Sequence, residues 1–212
     1  LLSNHQVIQN NQTVGELDFV VRDTETDLIE HWELCLKYYL QQAPSNRHDV
    51  MLGPNAIDSL DRKMNKLMGH QLTLGNHPNV LTELNLQSID SKLFMKGQLF
   101  YHLNRSELLP TDSNPDHEQG WWCFLNEVDE MVTPQYQWTT IWKPEWIGPI
   151  YRHDDAQLLS AAQLKGVLEQ HFQDEHHSVF CVGLKQENNT WQEATRGFVV
   201  NKHWPHLIPS KG

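Results

Sequence analysis

The chain has 212 residues, enough for one medium-sized domain or a core with a smaller appended lobe, and its 39% hydrophobic fraction with 8 Trp calls for a buried interior rather than disorder. A formal net charge of −11, from 27 acids against 16 bases, repels phosphate unless basic residues gather locally, which speaks against a nonspecific nucleic-acid binder. No stretch reaches the roughly 18 uninterrupted apolar residues of a membrane span, so no membrane partner is expected.

The chain opens Leu1-Leu2-Ser3-Asn4, with neither an initiator Met nor a secretory signal, which reads as a trimmed chain or a C-terminal fragment without an export signal. Cys35, Cys123 and Cys181 are too few and too far apart for a disulfide framework or a paired-cysteine zinc site. They read as reduced, mostly buried thiols of a cytoplasmic protein. The 13 His are scattered and read as surface or packing residues.

Val14 to Val21 and His31 to Tyr39 read as an antiparallel strand pair joined by the polar run Arg22 to Asp27. After the break at Gly53-Pro54-Asn55, the residues Ile57, Leu60, Met64, Leu67, Met68 and Leu72 recur at helical spacing. Leu93 to Leu103 and Trp121 to Leu125 read as strands, Ser160 to Phe172 as a helix, and Val179 to Leu184 with Gly197 to Val200 as a late strand pair. The order is mixed α/β without regular βαβ alternation, and no internal repeat is seen. Trp138, Trp142 and Trp146, four residues apart in a loop-rich aromatic stretch, read first as core or interface packing and second as a base-stacking platform.

Strand alternation puts Glu16 and Asp18 on one face of the first strand and Leu17, Phe19 and Val21 on the other. On the second strand it separates His31, Glu33, Cys35 and Lys37 from Trp32, Leu34, Leu36 and Tyr38. Carboxylates converging from neighbouring strands make a hard oxygen site of the kind Mg²⁺ accepts, and Lys37 can orient a water or stabilise charge on phosphate. The competing reading is the wet face of an antiparallel sheet, with ordinary cross-strand charge pairs.

The segment Gly15-Glu16-Leu17-Asp18-Phe19, followed by a short loop and His31-Trp32-Glu33-Leu34-Cys35-Leu36-Lys37, resembles the core of the PD-(D/E)XK nuclease superfamily. Over nearly its whole length the chain resembles an uncharacterised bacterial family, domain of unknown function eighteen fifty-three. The stretches that carry this likeness include Gly53-Pro54-Asn55, Lys96-Gly97-Gln98-Leu99-Phe100-Tyr101, Gly120-Trp121-Trp122 and Arg196-Gly197-Phe198-Val199-Val200.

The superfamily resemblance implies a restriction-endonuclease-like mixed central sheet flanked by helices, here with additional C-terminal strands, and a Mg²⁺- or Mn²⁺-dependent phosphodiesterase. Asp18 would bind the metal, Lys37 would be the active-site lysine and Glu16 an auxiliary acid. The second acid normally stands two residues before the lysine, where this chain has Cys35; Glu33 is the substitute, with its Cα about 13 Å from that of Lys37 along an extended strand. If Asp18 faces Glu33 the two can share a metal, and if it faces Cys35 the site loses a ligand; the sequence leaves that register open. Arg62, Lys63 and Gln71 on the following helix are candidates for substrate contact, against the plainer reading of a solvated helix face. Arg196 either contacts phosphate or pairs with acids beside the late strands.

The expected organisation is a nuclease-like core over residues 1–110 with a C-terminal aromatic-rich extension over 111–212, packed as one globular unit. The expected function is divalent-metal-dependent hydrolysis of nucleic acid, DNA ahead of RNA. The alternative is a catalytically inactive nuclease-like binding or assembly module with a protein partner. The superfamily and family patterns normally carry a helical segment before the first strand, whereas only some thirteen residues precede Val14.

Overall fold

The computed structural model describes residues 2–103, 108–154, 158–175 and 177–206. The strands are β1 Leu2–Gln9, β2 Gln12–Arg22, β3 Ile29–Gln41, β4 Met51–Leu52, β5 Asp90–His102, β6 Gln119–Phe124, β7 Gln137–Ile141, β8 Tyr151–Arg152, β9 Val179–Glu187 and β10 Thr190–Val200. The helices are α1 Leu60–Gly69, α2 Pro78–Leu84, α3 Val128–Met131 and α4 Ala161–Asp174. Strands hydrogen-bond in the order β1-β2-β3-β5-β6-β10-β9-β7, with β4 on β3 and β8 on β10. The β5–β6 and β6–β10 steps are parallel while β1–β2, β2–β3 and β9–β10 are antiparallel, so the sheet is mixed and the fold is mixed α/β. Among the described residues, no helix is long and apolar enough to cross a membrane.

By its internal contacts the chain divides into two compact units, Leu1–Lys37 with Asp61–Lys96, and Tyr38–Leu60 with Gly97–Gly212. In the first unit, Leu2–Gln9 form the strand β1, which the sequence pattern did not announce. Asn10 and Asn11, at φ 51° and 62°, make the two-residue turn into β2, because a pair of left-handed residues matches the twist of the flanking strands. Asp23 closes the β2–β3 loop by accepting the backbone N–H groups of Glu25 and Thr26.

The face assignment on β2 needs correction. Leu17 and Val20 are fully buried while Phe19 is 39% exposed, so the apolar row is not Leu17, Phe19, Val21. Two local irregularities produce the slip. Asn4, at φ 48°, sits between the pairs Ser3↔Phe19 and His5↔Leu17, and the Asp18 carboxylate leaves strict alternation to accept the Leu34 N–H at 2.8 Å.

The helical periodicity from Ile57 to Leu72 is also shorter than expected. Ile57 is exposed and precedes α1; at His70 (φ −136°, ψ −63°) the backbone leaves helix geometry and tightens into a 3₁₀ turn, Gln71–Asn76. Leu74 in that turn packs with Val7, Leu17, Val20, Val80 and Ile89 to form this unit's core. Gly15 admits Leu74, since a Cβ there would stand 2.3 Å from its Cδ1.

In the second unit, β6 sends Trp121 and Cys123 into one cluster and Trp122 into another, as period-2 side-chain direction requires. Leu164, Leu168 and Phe172 of α4 cover the Trp121 cluster, and Ser160 caps the helix by accepting the Gln163 N–H while its own N–H donates to the Gln163 side chain. Of the tryptophan series, Trp138 lies fully buried on β7 and Trp146 packs against Tyr38, Phe180 and Phe198, whereas Trp142 is 80% exposed. The stretch is thus a strand followed by a 3₁₀ turn, and its tryptophans do not share a face. All three cysteines are free and buried. Burial raises each thiol above its ordinary value, that of Cys123 to about 12.

Candidate functional site

Within the first unit, β3 turns its ionisable residues inward. His31 and Glu33 have side-chain exposures of 0% and 5%, and Cys35 is buried, while Leu34 and Leu36 on the other face are 47% and 44% exposed. The ionisable row is therefore the inward one, which excludes the competing reading of a wet sheet face for His31, Glu33 and Cys35. The cover over the ionisable row includes α1 and the 3₁₀ turn, which bring polar side chains and Gly75 against it. Gln71 Nε2 donates to Glu33 Oε1 at 3.1 Å, and the Lys63 ammonium attracts Cys35.

The β2–β3 ladder pairs Phe19↔Trp32, Val20↔His31, Val21↔Glu30 and Arg22↔Ile29. Extended by one residue, that register sets Asp18 against Glu33, the alternative in which the carboxylates adjoin. The ladder stops there, and Asp18 Oδ2 takes the Leu34 N–H instead, which leaves Oδ1 for another partner. Burial raises the Glu33 carboxyl, the Gln71 hydrogen bond opposes that shift, and the Asp18 charge adds to it. Burial lowers the His31 imidazole, with Asp18 acting the other way. Asp18 therefore exerts its charge on both.

His31 Nδ1 lies 3.1 Å from Ser91 Oγ, and its Nε2 lies 3.7 Å from Glu33 Oε2. Both His31 Nε2 and Glu33 Oε2 are buried without a hydrogen-bond partner among the described residues. Gly75 makes room for this arrangement, since a Cβ there would stand 2.9 Å from Ser91 Oγ and Ile89 Cγ2 and 3.0 Å from His31 Nδ1. Gly75→Ala is expected to cost about 1–3 kcal/mol through overpacking, read as a lower urea midpoint. An unchanged midpoint would show that the ring and the serine yield freely.

The structure thus gathers Asp18, Glu33, Lys63 and Gln71, and Lys37 follows Cys35 on the same strand face, close enough to act on the Cys35 thiol electrostatically. Arg62 lies on the exposed side of α1, off the line of Leu60, Lys63, Met64 and Leu67. Glu16 is half-buried opposite Gln6, and no hydrogen bond or ion pair joins it to the others. Sequence reasoning missed His31, Gly75, Ser91 and Lys66, the last acting on Glu33 electrostatically. His31 had been set aside with the scattered histidines, although its place in the same row as Glu33 and Cys35 was already visible.

Among the described residues no group of three or more His, Cys, Asp or Glu side chains stands ready to hold a metal. What the chain offers is two carboxylates from adjoining strands, one with an unpartnered buried oxygen. That donor set fits a cation which keeps several waters and takes its remaining ligands from phosphate.

Arg196 lies in the second unit and is committed elsewhere. Its guanidinium, 10% exposed, pairs with Glu193 and donates to the carbonyls of Trp146 and Gly148 at 3.0 and 2.8 Å. Of the two sequence readings, pairing with an acid beside the late strands is the one observed.

A mixed sheet whose third strand buries a row of ionisable groups beneath a helical cover defines a mixed α/β protein with an internal polar site. The chain belongs to the family described as Domain of unknown function (DUF1853), whose model matches residues 1–200. No curated protein and no solved structure matches it.

Proposed function

We propose that this chain is a divalent-metal-dependent nuclease of the PD-(D/E)XK, restriction-endonuclease-like kind, hydrolysing phosphodiester bonds in nucleic acid, with DNA ahead of RNA. The observation that carries the reading is the burial of Glu33, one oxygen unpartnered, on the strand that bears Lys37 and to which the Asp18 carboxylate is hydrogen-bonded through the Leu34 N–H. Burying a carboxyl without full hydrogen bonding costs about 1–3 kcal/mol, and such costs concentrate at sites that use the group.

Asp18 Oδ1 and Glu33 Oε2 would hold the cation, Mg²⁺ or Mn²⁺. The chemistry it supplies when bound is neutralisation of charge on the phosphate and acidification of water. The remaining work falls to the chain itself. Lys63 and Lys66 favour negative charge beside Glu33, offsetting locally the net charge of −11. Lys37 presents an ammonium that can orient the attacking water and stabilise the charge that grows on phosphate oxygens. Gln71 holds Glu33 by Oε1, which fixes the carboxylate while Oε2 faces His31 Nε2.

Calorimetric titration with Mn²⁺ or Ca²⁺ tests the site. Binding to the wild type that is lost in both Asp18→Asn and Glu33→Gln is the expected result. Absence of binding to the wild type would sink the catalytic reading and favour the inactive binding or assembly module, for which the exposed apolar side chains Phe19, Leu34, Leu36 and Phe94 of the first unit speak.

A further inference from the structure

In the second unit, β10 carries one residue more than β9, Ala194, between the pairs Glu193↔Leu184 and Thr195↔Gly183. Strict alternation would put residues 193 and 196 on opposite faces of the strand. The bulge brings them to one side, where the Arg196 guanidinium pairs with the Glu193 carboxylate. The same two side chains fasten the neighbouring turn: Arg196 donates to the carbonyls of Trp146 and Gly148, and Glu193 accepts the Ile150 N–H. That turn, β5, the start of β6 and the bulged part of β10 line a cavity of about 540 Å³, the size of a small-molecule site. No step of the proposed hydrolysis uses its residues.

Gln98 of β5 lines this cavity and is 5% exposed; its Nε2 donates to the Gln119 carbonyl at 2.9 Å, and its Oε1 is buried without a hydrogen-bond partner. Exchanging the amide's oxygen and nitrogen would set oxygen against oxygen at Gln119, so amide orientation does not account for the unused acceptor. Glu118 lies beside it, since the Leu99 N–H donates to the Glu118 carbonyl at 3.3 Å. Its side chain also lines the cavity, and among the described residues no hydrogen bond or ion pair engages its carboxylate. With Arg196 cancelled by Glu193, Glu118 leaves the lining net negative, which disfavours a phosphate-bearing ligand. Ile147, 70% exposed, and Pro149 add an apolar wall. A water molecule would satisfy Gln98 but would use neither the charge of Glu118 nor that wall.

We infer that this cavity is a binding site for a guanidinium group on an apolar stem, as in arginine, free or within a peptide. A planar guanidinium carries donors on three nitrogens, which serve a carboxylate and a neighbouring amide oxygen together, and it is more weakly hydrated than an ammonium. The methylene stem suits Ile147 and Pro149.

Calorimetric titration of the full chain with Nα-acetyl-arginine amide and with free arginine, each beside its lysine counterpart, tests this. Saturable binding with a Kd on the order of 0.1–1 mM is expected, weakened about 10-fold in Glu118→Gln and in Gln98→Met, and at least about 5-fold weaker for lysine. Glu118→Gln changes an exposed side chain, so it serves as the test even where Gln98→Met fails to fold by circular dichroism. Tighter binding of the blocked amide would identify a peptide side chain as the source, and tighter binding of free arginine the amino acid. No saturable binding of either arginine probe up to about 10 mM would overturn the inference and leave Gln98 to water. Binding undiminished in Glu118→Gln would place the ligand elsewhere and overturn it equally, and lysine probes that match arginine would overturn the guanidinium assignment.

Discussion

If the chain is the metal-dependent nuclease proposed above, Lys37→Ala is expected to slow phosphodiester hydrolysis by roughly 10²- to 10³-fold while leaving the affinity for Mn²⁺ nearly unchanged. The reason for the split is position. Lys37 follows Cys35 on the inward face of β3, beyond Glu33 and only partly buried, a position that on the proposed reading serves substrate and water rather than the cation. A variant that kept full turnover would remove Lys37 from the mechanism. One that lost cation binding together with turnover would make it a structural support of the site.

Arg196→Met is expected to lower the free energy of unfolding by about 3–5 kcal/mol, measured by urea denaturation. The guanidinium and Glu193 are 10% and 12% exposed, and removing the cation leaves a largely buried carboxylate without its main partner. The carbonyls of Trp146 and Gly148 lose their donors in the same change. Glu193 keeps the Ile150 N–H at 2.9 Å, so the double variant Arg196→Met, Glu193→Gln should recover part of the loss. A single variant within about 1 kcal/mol of wild type would mean that this pair sits in effectively wet surroundings.

Much of the strand framework was legible because strands announce themselves by β-branched and aromatic runs. The hairpin of β2 and β3, the late pair β9 and β10, and the capped helix α4 follow from such patterns. β1 was not, since Ser3-Asn4-His5-Gln6 carries little hydrophobic alternation; its better signal was the Asn10-Asn11 turn, repeated at Asn188-Asn189 between β9 and β10, where both residues again take positive φ. β7 was hidden among Pro and Trp residues that read as loop.

The candidate site was half legible. Strand parity grouped His31, Glu33, Cys35 and Lys37 correctly, but it left open which side of the sheet faces inward, because Leu34 and Leu36 are the more hydrophobic set. Which face a sheet buries depends on what covers it, and here the cover brings Gln71 and Lys63, polar groups that pair with ionisable ones. The positions of Asp18 and Phe19 could not be had from parity at all, since the left-handed Asn4 and the bond from Leu34 to Asp18 are tertiary events. The same holds for Ser91 and Gly75, which meet His31 only once the chain has folded.

The most direct measurement is cleavage of single- and double-stranded DNA and RNA by the purified chain with Mn²⁺, alongside Glu33→Gln prepared identically. The account predicts cleavage by the wild type, DNA faster than RNA, that chelation abolishes and Glu33→Gln reduces by at least roughly 10²-fold. A wild-type chain that binds Mn²⁺ yet cuts none of these substrates, or cleavage that Glu33→Gln leaves intact, would contradict it.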